Sequence, residues 1–173
     1  CSGMFNQWNQ GKSSIAINLG TEEGIEIVKA LVAESDIVVQ NFATGVMDRM
    51  GIGYDTLKSI KPNIIVASIS GYGQSGPYKD YMGYGPAIPP LTGLSAGTGY
   101  LGGEPEEIGL SMPDPTAGIT AAYAITSALI KRDQSGVGEH LDVSLWEATA
   151  VLNMEAWMGF AQHGTEPKRM GNR

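Results

Sequence analysis

The chain has 173 residues, 42% hydrophobic and 17% charged, enough for a real core and unlike a disordered segment. A formal net charge of −7 argues against nucleic acid as a partner, while an anionic small ligand stays open wherever Lys, Arg or a helix N-terminus offsets the field. No apolar run approaches the roughly 20 residues of a membrane span, and the single cysteine, Cys1, excludes an internal disulfide framework and suits a reducing cytoplasm.

The opening, CSGMFNQWNQGK, lacks the charged start and apolar stretch of a secretory signal. It also lacks an initial Met, so the chain reads as beginning inside a longer frame. KSSIAINL then predicts a first strand of alternating apolar residues. Thr21 reads as an N-cap, with Glu22 and Glu23 in the first turn of a helix running to about Ala33. DIVVQNF is a continuous apolar run of the kind buried in a parallel sheet. GVMDRMGIGYDTLKSI predicts two short helical pieces around Gly51 and Gly53, and NIIVASISG a third strand. Strands alternating with helices in this way predict a doubly wound α/β sheet.

Residues 71–114 carry eleven Gly and six Pro. They predict a long loop region with one short helix near 86–95, and loops of that length inside domains are usually functional. A helix follows from Pro115 to about Arg132. Its faces, one with Ile119, Tyr123, Thr126 and Ile130 and one with Ala121, Ile125 and Ala128, predict burial all round. QSGVGEH reads as a turn, LDVSL as a strand, and WEATAVLNMEAWMGFAQHG as a last helix with Gly164 as its C-cap. The polar end, TEPKRMGNR, brings no closing element, so the sheet reads as stopping short.

GYGQSG at 71–76 fits the glycine pattern of a dinucleotide loop, but Pro77 stands where the helix should open and no acid ends a second strand downstream. Cys1, His140 and His163 are scattered without metal-ligand spacing, so no metal is expected; His140 reads as a strand-edge residue and His163 as a helix end. Asn41 and Phe42 close a buried strand at the carboxyl edge, where open α/β sheets bind ligands, with Arg49 in the next helical turn. By spacing alone they read more simply as a turn cap, a core residue and a surface charge. Asp114 carries the same ambiguity. Asp-Pro is a strong helix start, with Asp as N-cap and Pro at N1. A helix N-terminus also favours a carboxylate by about 0.3–1 kcal/mol, and a positioned carboxylate can attack an activated acyl group. Tyr72, Tyr78, Tyr81 and Tyr84 read either as an acyl pocket or as loop packing.

Five stretches in order, NQGKSSIAINL, DIVVQNFATGVMDRMGIGYDTL, PNIIVASISGYGQSGPYKD, GYGPAI…LTGLSAGTG and MPDPTAGITAAYAITSALIKRDQSGVGEHLDVSLWEA, resemble the class III coenzyme A transferases. That family joins formyl-CoA, carnitine and bile-acid CoA-transferases with α-methylacyl-CoA racemase. The resemblance implies a Rossmann-like doubly wound α/β sheet forming an incomplete large domain over residues 1–164. Residues 165–173 would start a linker toward a small domain. It implies a longer parent protein, an interlocked homodimer, and acyl-CoA and a carboxylic acid acceptor as partners, with coenzyme A entering as substrate. A glycine-rich loop outside this sequence would close over the site.

Residue by residue, the resemblance makes Asp114 the nucleophile. Asn41, Phe42, Arg49 and Met50 would line the CoA nucleotide and pantetheine, and Ile17, Asn18 and Gly20 would contact CoA largely through backbone. The implied reaction is CoA transfer through aspartyl mixed-anhydride and aspartyl-CoA thioester intermediates. Acyl-CoA racemisation is one alternative, and a truncated, non-catalytic CoA-binding or interaction domain is another. Two departures stand out. Tyr84 and Gly85 replace the His and acid of the racemase branch, which disfavours racemisation, and many transferases carry an acid where Gly85 stands. Lys12 matches a basic position, while Ser13 replaces a common Arg, weakening attraction for phosphate.

Overall fold

Three of the four strand-like runs find ladder partners. The computed structural model describes residues 2–109 and 111–172, so Cys1 and Arg173 lie outside the described residues. β1 (Ile37–Gln40), β2 (Ile65–Ser70) and β3 (His140–Ser144) form a parallel sheet in that order. The register sets Gln40 beside Ser68 and Ser68 beside Asp142. β2 is bonded along both edges and is the most deeply covered strand, with Ile65, Val66 and Ala67 at 1% exposure or less. This is the α/β sheet the chain order predicts, with one strand fewer.

KSSIAINL is the run that does not become a strand. Residues 12–18 form no regular element and Lys12 through Ala16 are exposed. Alternation gives a segment two faces but supplies no ladder, and among the described residues nothing pairs with this one. Ahead of it, α1 (Gly3–Trp8) is a short, exposed helix capped by Ser2, whose Oγ accepts the Phe5 N–H at 3.2 Å.

Helices cover both faces of the sheet. α2 (Glu22–Glu34) starts where expected, with Thr21 Oγ1 accepting the Gly24 N–H at 3.1 Å. α3 (Val46–Arg49) and α4 (Tyr54–Ile60) are the two short pieces between β1 and β2. They join α2 over one face, where Val32, Met47, Ile52, Leu57, Ile64 and Val66 pack as one cluster. Strand alternation turns Ile69 and Val143 to the other face. There they meet Ile88, Ala117, Ala121 and Leu145 in a second cluster.

The glycine- and proline-rich region is more ordered than its composition predicts. Instead of one helix near 86–95 it holds a 3₁₀ turn over Gly85–Ala87, α5 (Ile88–Thr92) and α6 (Leu94–Gly97). The break between the helices is Gly93, at φ +78°, which ends one and begins the next.

α7 (Pro113–Ser135) begins two residues earlier than Pro115. It is also not buried all round. Ala117, Ala121 and Ala128 face the protein, whereas Ile119 and Tyr123 are 73% and 76% exposed. Small side chains let the helix lie close to the sheet, and the large ones are left on its outer face.

The last helix is likewise divided, into α8 (Leu145–Ala150), a 3₁₀ turn over Val151–Asn153 and α9 (Met154–His163). At the break the side chains make tertiary bonds: Asn153 Nδ2 and Trp157 Nε1 both donate to the Thr92 carbonyl at 2.9 Å. Gly164 closes α9 in the left-handed conformation, as its position predicts. The tail then returns to the loop region, where Arg169 donates to the carbonyls of Gly103 and Ala96 at 2.9 and 3.0 Å.

Leu57 is fully buried under the first cluster. Leu57→Ala is expected to lower unfolding free energy by about 2–5 kcal/mol, read from urea denaturation.

Candidate active site

Parallel strands deliver all their carboxyl ends to one edge, and the chain leaves that edge through residues rich in exposed backbone. β1 turns out at Gln40, whose Oε1 accepts the Phe42 N–H at 2.6 Å and bends the chain through Asn41 and Phe42. Thr44 Oγ1 then donates to the Lys79 carbonyl at 2.8 Å and lies 3.2 Å from that of Gly73. One hydroxyl thus ties the exit of β1 to the loop after β2. That loop doubles back so closely that a Cβ on Gly71 would sit 2.5 Å from Gly83 Cα. Only glycine at both positions permits the approach.

The result is a cleft of about 510 Å³. Asn41, Phe42 and Thr44 line one side, and Tyr81, Met82 and Tyr84 another; Asp114 and Gly118 come from α7. Asp114 is therefore brought together with Asn41 and Phe42 although more than 70 residues separate them. Lys79 is the one cationic side chain among the lining residues.

Asp114 is not the N-cap of its helix. Met112 occupies that position and makes no side-chain cap bond, and Asp114 lies in the first turn. The cause is Pro113, which fits the start of a helix as well as Pro115 does, so the helix begins upstream. An N-cap carboxylate would be engaged by its own helix's N–H groups. At its actual position the carboxylate is exposed, lines the cleft, and accepts a hydrogen bond from the Ser111 hydroxyl.

The four tyrosines divide. Tyr81 and Tyr84 line the cleft. Tyr72 and Tyr78 pack edge-on and tilted around Trp146, with ring centroids 5.6–6.2 Å apart.

The remaining sequence candidates lie elsewhere. Gly20 and Met50 share a shallower groove of about 370 Å³ with Thr21, Ile25 and Lys29. Ile17 and Asn18 precede it in the irregular run, with Asn18 Oδ1 accepting the Gly20 N–H at 3.0 Å. Arg49 is exposed on α3, its guanidinium beside Gly45, and lines neither cavity.

His140 starts β3, within 2.8 Å of Ser68 Oγ and stacked on Tyr54 at 5.0 Å; His163 ends α9. Neither lines the Asp114 cleft. Among the described residues no group of three or more His, Cys, Asp or Glu can hold a metal ion, and no helix is long and apolar enough to cross a membrane. Sequence reasoning missed Thr44, Lys79, Gly118 and Ser111, whose placement depends on contacts between distant segments.

The sequence matches the profile of CoA-transferase family III over residues 1–173. It is similar to the acetyl-CoA:oxalate CoA-transferase of Acetobacter aceti, with 38% identity over 98% of this chain and 44% of the relative. The succinate–glutarate CoA-transferase of Agrobacterium fabrum is 34% identical over 99% of this chain and 43% of its own length. Among solved structures, a CAIB/BAIF family protein from Brucella suis superposes with a TM-score of 0.91 at 41% identity. That match covers 95% of this chain and 43% of the other. The chain thus spans somewhat over two fifths of the length of these relatives.

Thr44→Val is expected to cost about 0.5–1.5 kcal/mol by losing the loop-tying hydroxyl. Amides of residues 73–85 should exchange faster with deuterium than in the parent chain.

Proposed function

The chain belongs to CoA-transferase family III, and from that premise we propose that its whole protein moves coenzyme A from an acyl-CoA thioester to a carboxylic acid, with Asp114 as the nucleophile. The observation that carries this reading is a carboxylate lining a cleft, not spent on capping because its helix is started by another residue.

The chemistry proceeds in balanced exchanges. A carboxylate oxygen of Asp114 attacks the thioester carbonyl, the C–S bond breaks, and CoA leaves as thiolate, giving a mixed anhydride. The thiolate attacks the aspartyl carbonyl and expels the first acid, giving an aspartyl-CoA thioester. The acceptor carboxylate attacks that thioester, its C–S bond breaks to release the thiolate, and a second anhydride forms. The thiolate then takes the new acyl group, and Asp114 returns as carboxylate. No proton need move and every intermediate is an activated acyl group, which is the advantage of covalent catalysis here. Each attack on carbonyl carbon builds an oxyanion, for which backbone N–H groups in the glycine-lined cleft are suitable donors.

Coenzyme A would lie along Asn41 and Phe42 toward the groove of Gly20 and Met50, with Ile17, Asn18 and Arg49 beside its path. The proximity of Asn41 and Phe42 to Asp114 supports the reacting end of that path. A small dicarboxylic acid is the acceptor class we favour: the relatives named above act on oxalate and glutarate, and Lys79 offers a cation in the same cleft. Residues 165–173 would lead toward a further domain. The exposed apolar side chains Ile119, Tyr123, Trp157 and Phe160 suit burial against that domain or a second copy of the chain. Racemisation is disfavoured because neither histidine lines the cleft.

The test uses the whole protein with an acyl-CoA and a dicarboxylic acid. Exchange of CoA between them is expected, and Asp114→Asn should lower kcat by about a thousandfold or more while leaving the circular dichroism spectrum intact. An Asn variant as active as the parent, shown by mass spectrometry not to have deamidated, would remove the nucleophile role.

A further inference from the structure

Ser111 is the one non-glycine residue at positive φ among the described residues, at +60°. A side chain with a Cβ rarely adopts that conformation, and where one does the surrounding structure must enforce it. The unusual backbone has a definite consequence. It turns the Ser111 hydroxyl onto Asp114, where it donates to Oδ2, while the Asp114 N–H donates back to the Ser111 carbonyl at 3.2 Å.

Gly85 supplies the second observation. It is buried at the start of the 3₁₀ turn, and a Cβ added to it would overlap Ser111 Oγ and lie 2.9 Å from both Ser111 Cβ and Asp114 Oδ2. The hydroxyl of Ser111 therefore occupies the volume that any side chain at position 85 would need. A glycine at 111 would satisfy the backbone without strain, so a serine there points to the hydroxyl rather than to the loop.

We propose that Ser111 is the positioning residue for the Asp114 carboxylate and that position 85 must be glycine to admit it. The proposal rests on the reading of Asp114 as nucleophile. One donor on Oδ2 restricts rotation of the carboxylate and, among the described residues, leaves Oδ1 unengaged for attack on the thioester. In the next step the thiolate attacks the aspartyl carbon, Oδ1 departs with the released acid, and negative charge grows on Oδ2. The same hydroxyl already faces that oxygen, so no donor has to be recruited. Only a hydrogen bond is involved; no proton is transferred.

The experiment is steady-state kinetics on the whole protein, with thermal unfolding measured alongside. Ser111→Gly is expected to keep or raise Tm, because glycine relieves the positive φ. It should leave KM for acyl-CoA within twofold and lower kcat about tenfold, as befits loss of one hydrogen bond to a charged group. Gly85→Ala should lower kcat by a similar factor alone, and by less than threefold more when combined with Ser111→Gly. A Ser111→Gly protein with parental kcat overturns the proposal, and so does one that loses stability in step with activity. Equal effects of Gly85→Ala in both backgrounds overturn the shared-volume half. Asp114→Asn is assayed in parallel: if it stays active, the nucleophile reading fails, whereas an inactive Asp114→Asn beside a fully active Ser111→Gly removes Ser111 alone.

Discussion

Everything in this chain is referred to β2, the strand bonded on both edges and covered on both faces. Its ladder with β1 and β3 fixes where three separate segments leave the sheet, and parallel pairing makes all three leave at one edge. A buried strand must satisfy every backbone group through its neighbours, so its register is not free to slip. The positions of Asn41, Gly71 and Leu145 around the cleft follow from that register.

The cleft is then shaped mainly by backbone. Gly71 and Gly83 touch where side chains would hold the loops apart, and Thr44 ties two loops through a single hydroxyl. Substrate approach and a fixed floor make opposite demands on such a site: open space above and little mobility below. Glycine provides the first. Hydrogen bonds between loops provide the second, together with the aromatic packing of Tyr72 and Tyr78 on Trp146. The positive φ at Ser111 belongs to the same pattern, a local cost sustained by surrounding structure beside Asp114.

The outer faces of α7 and α9 obey a different rule. Ile119, Tyr123, Trp157 and Phe160 are exposed although their chemistry favours burial. Isolated apolar residues on a surface are ordinary, but aligned on neighbouring turns of a helix they form a patch. α7 therefore has two functions in one element, an alanine face that sets its distance from the sheet and a large-residue face turned outward.

Periodicity and punctuation in the sequence were sufficient for the parallel strands, for α2 with its Thr21 cap, for the divided helices around Gly51 and Gly53, and for the Gly164 stop, because these depend on neighbours within a few residues. The five family stretches likewise carry the family by themselves. Local pattern misled where the outcome needed a distant partner: KSSIAINL alternates like a strand but has no ladder among the described residues, and the final helix is divided next to the point where the side chains of Asn153 and Trp157 donate to the carbonyl of Thr92, some 60 residues away. The exit of β1 and the first turn of α7 hold their candidate residues in plain view as Asn41, Phe42 and Asp114, yet by sequence physics alone each has a structural reading stronger than its functional one. Only the tertiary structure brings them to one cleft, since whether a carboxylate caps its own helix or faces a cleft depends on which proline starts the helix and on what a loop 30 residues upstream leaves empty.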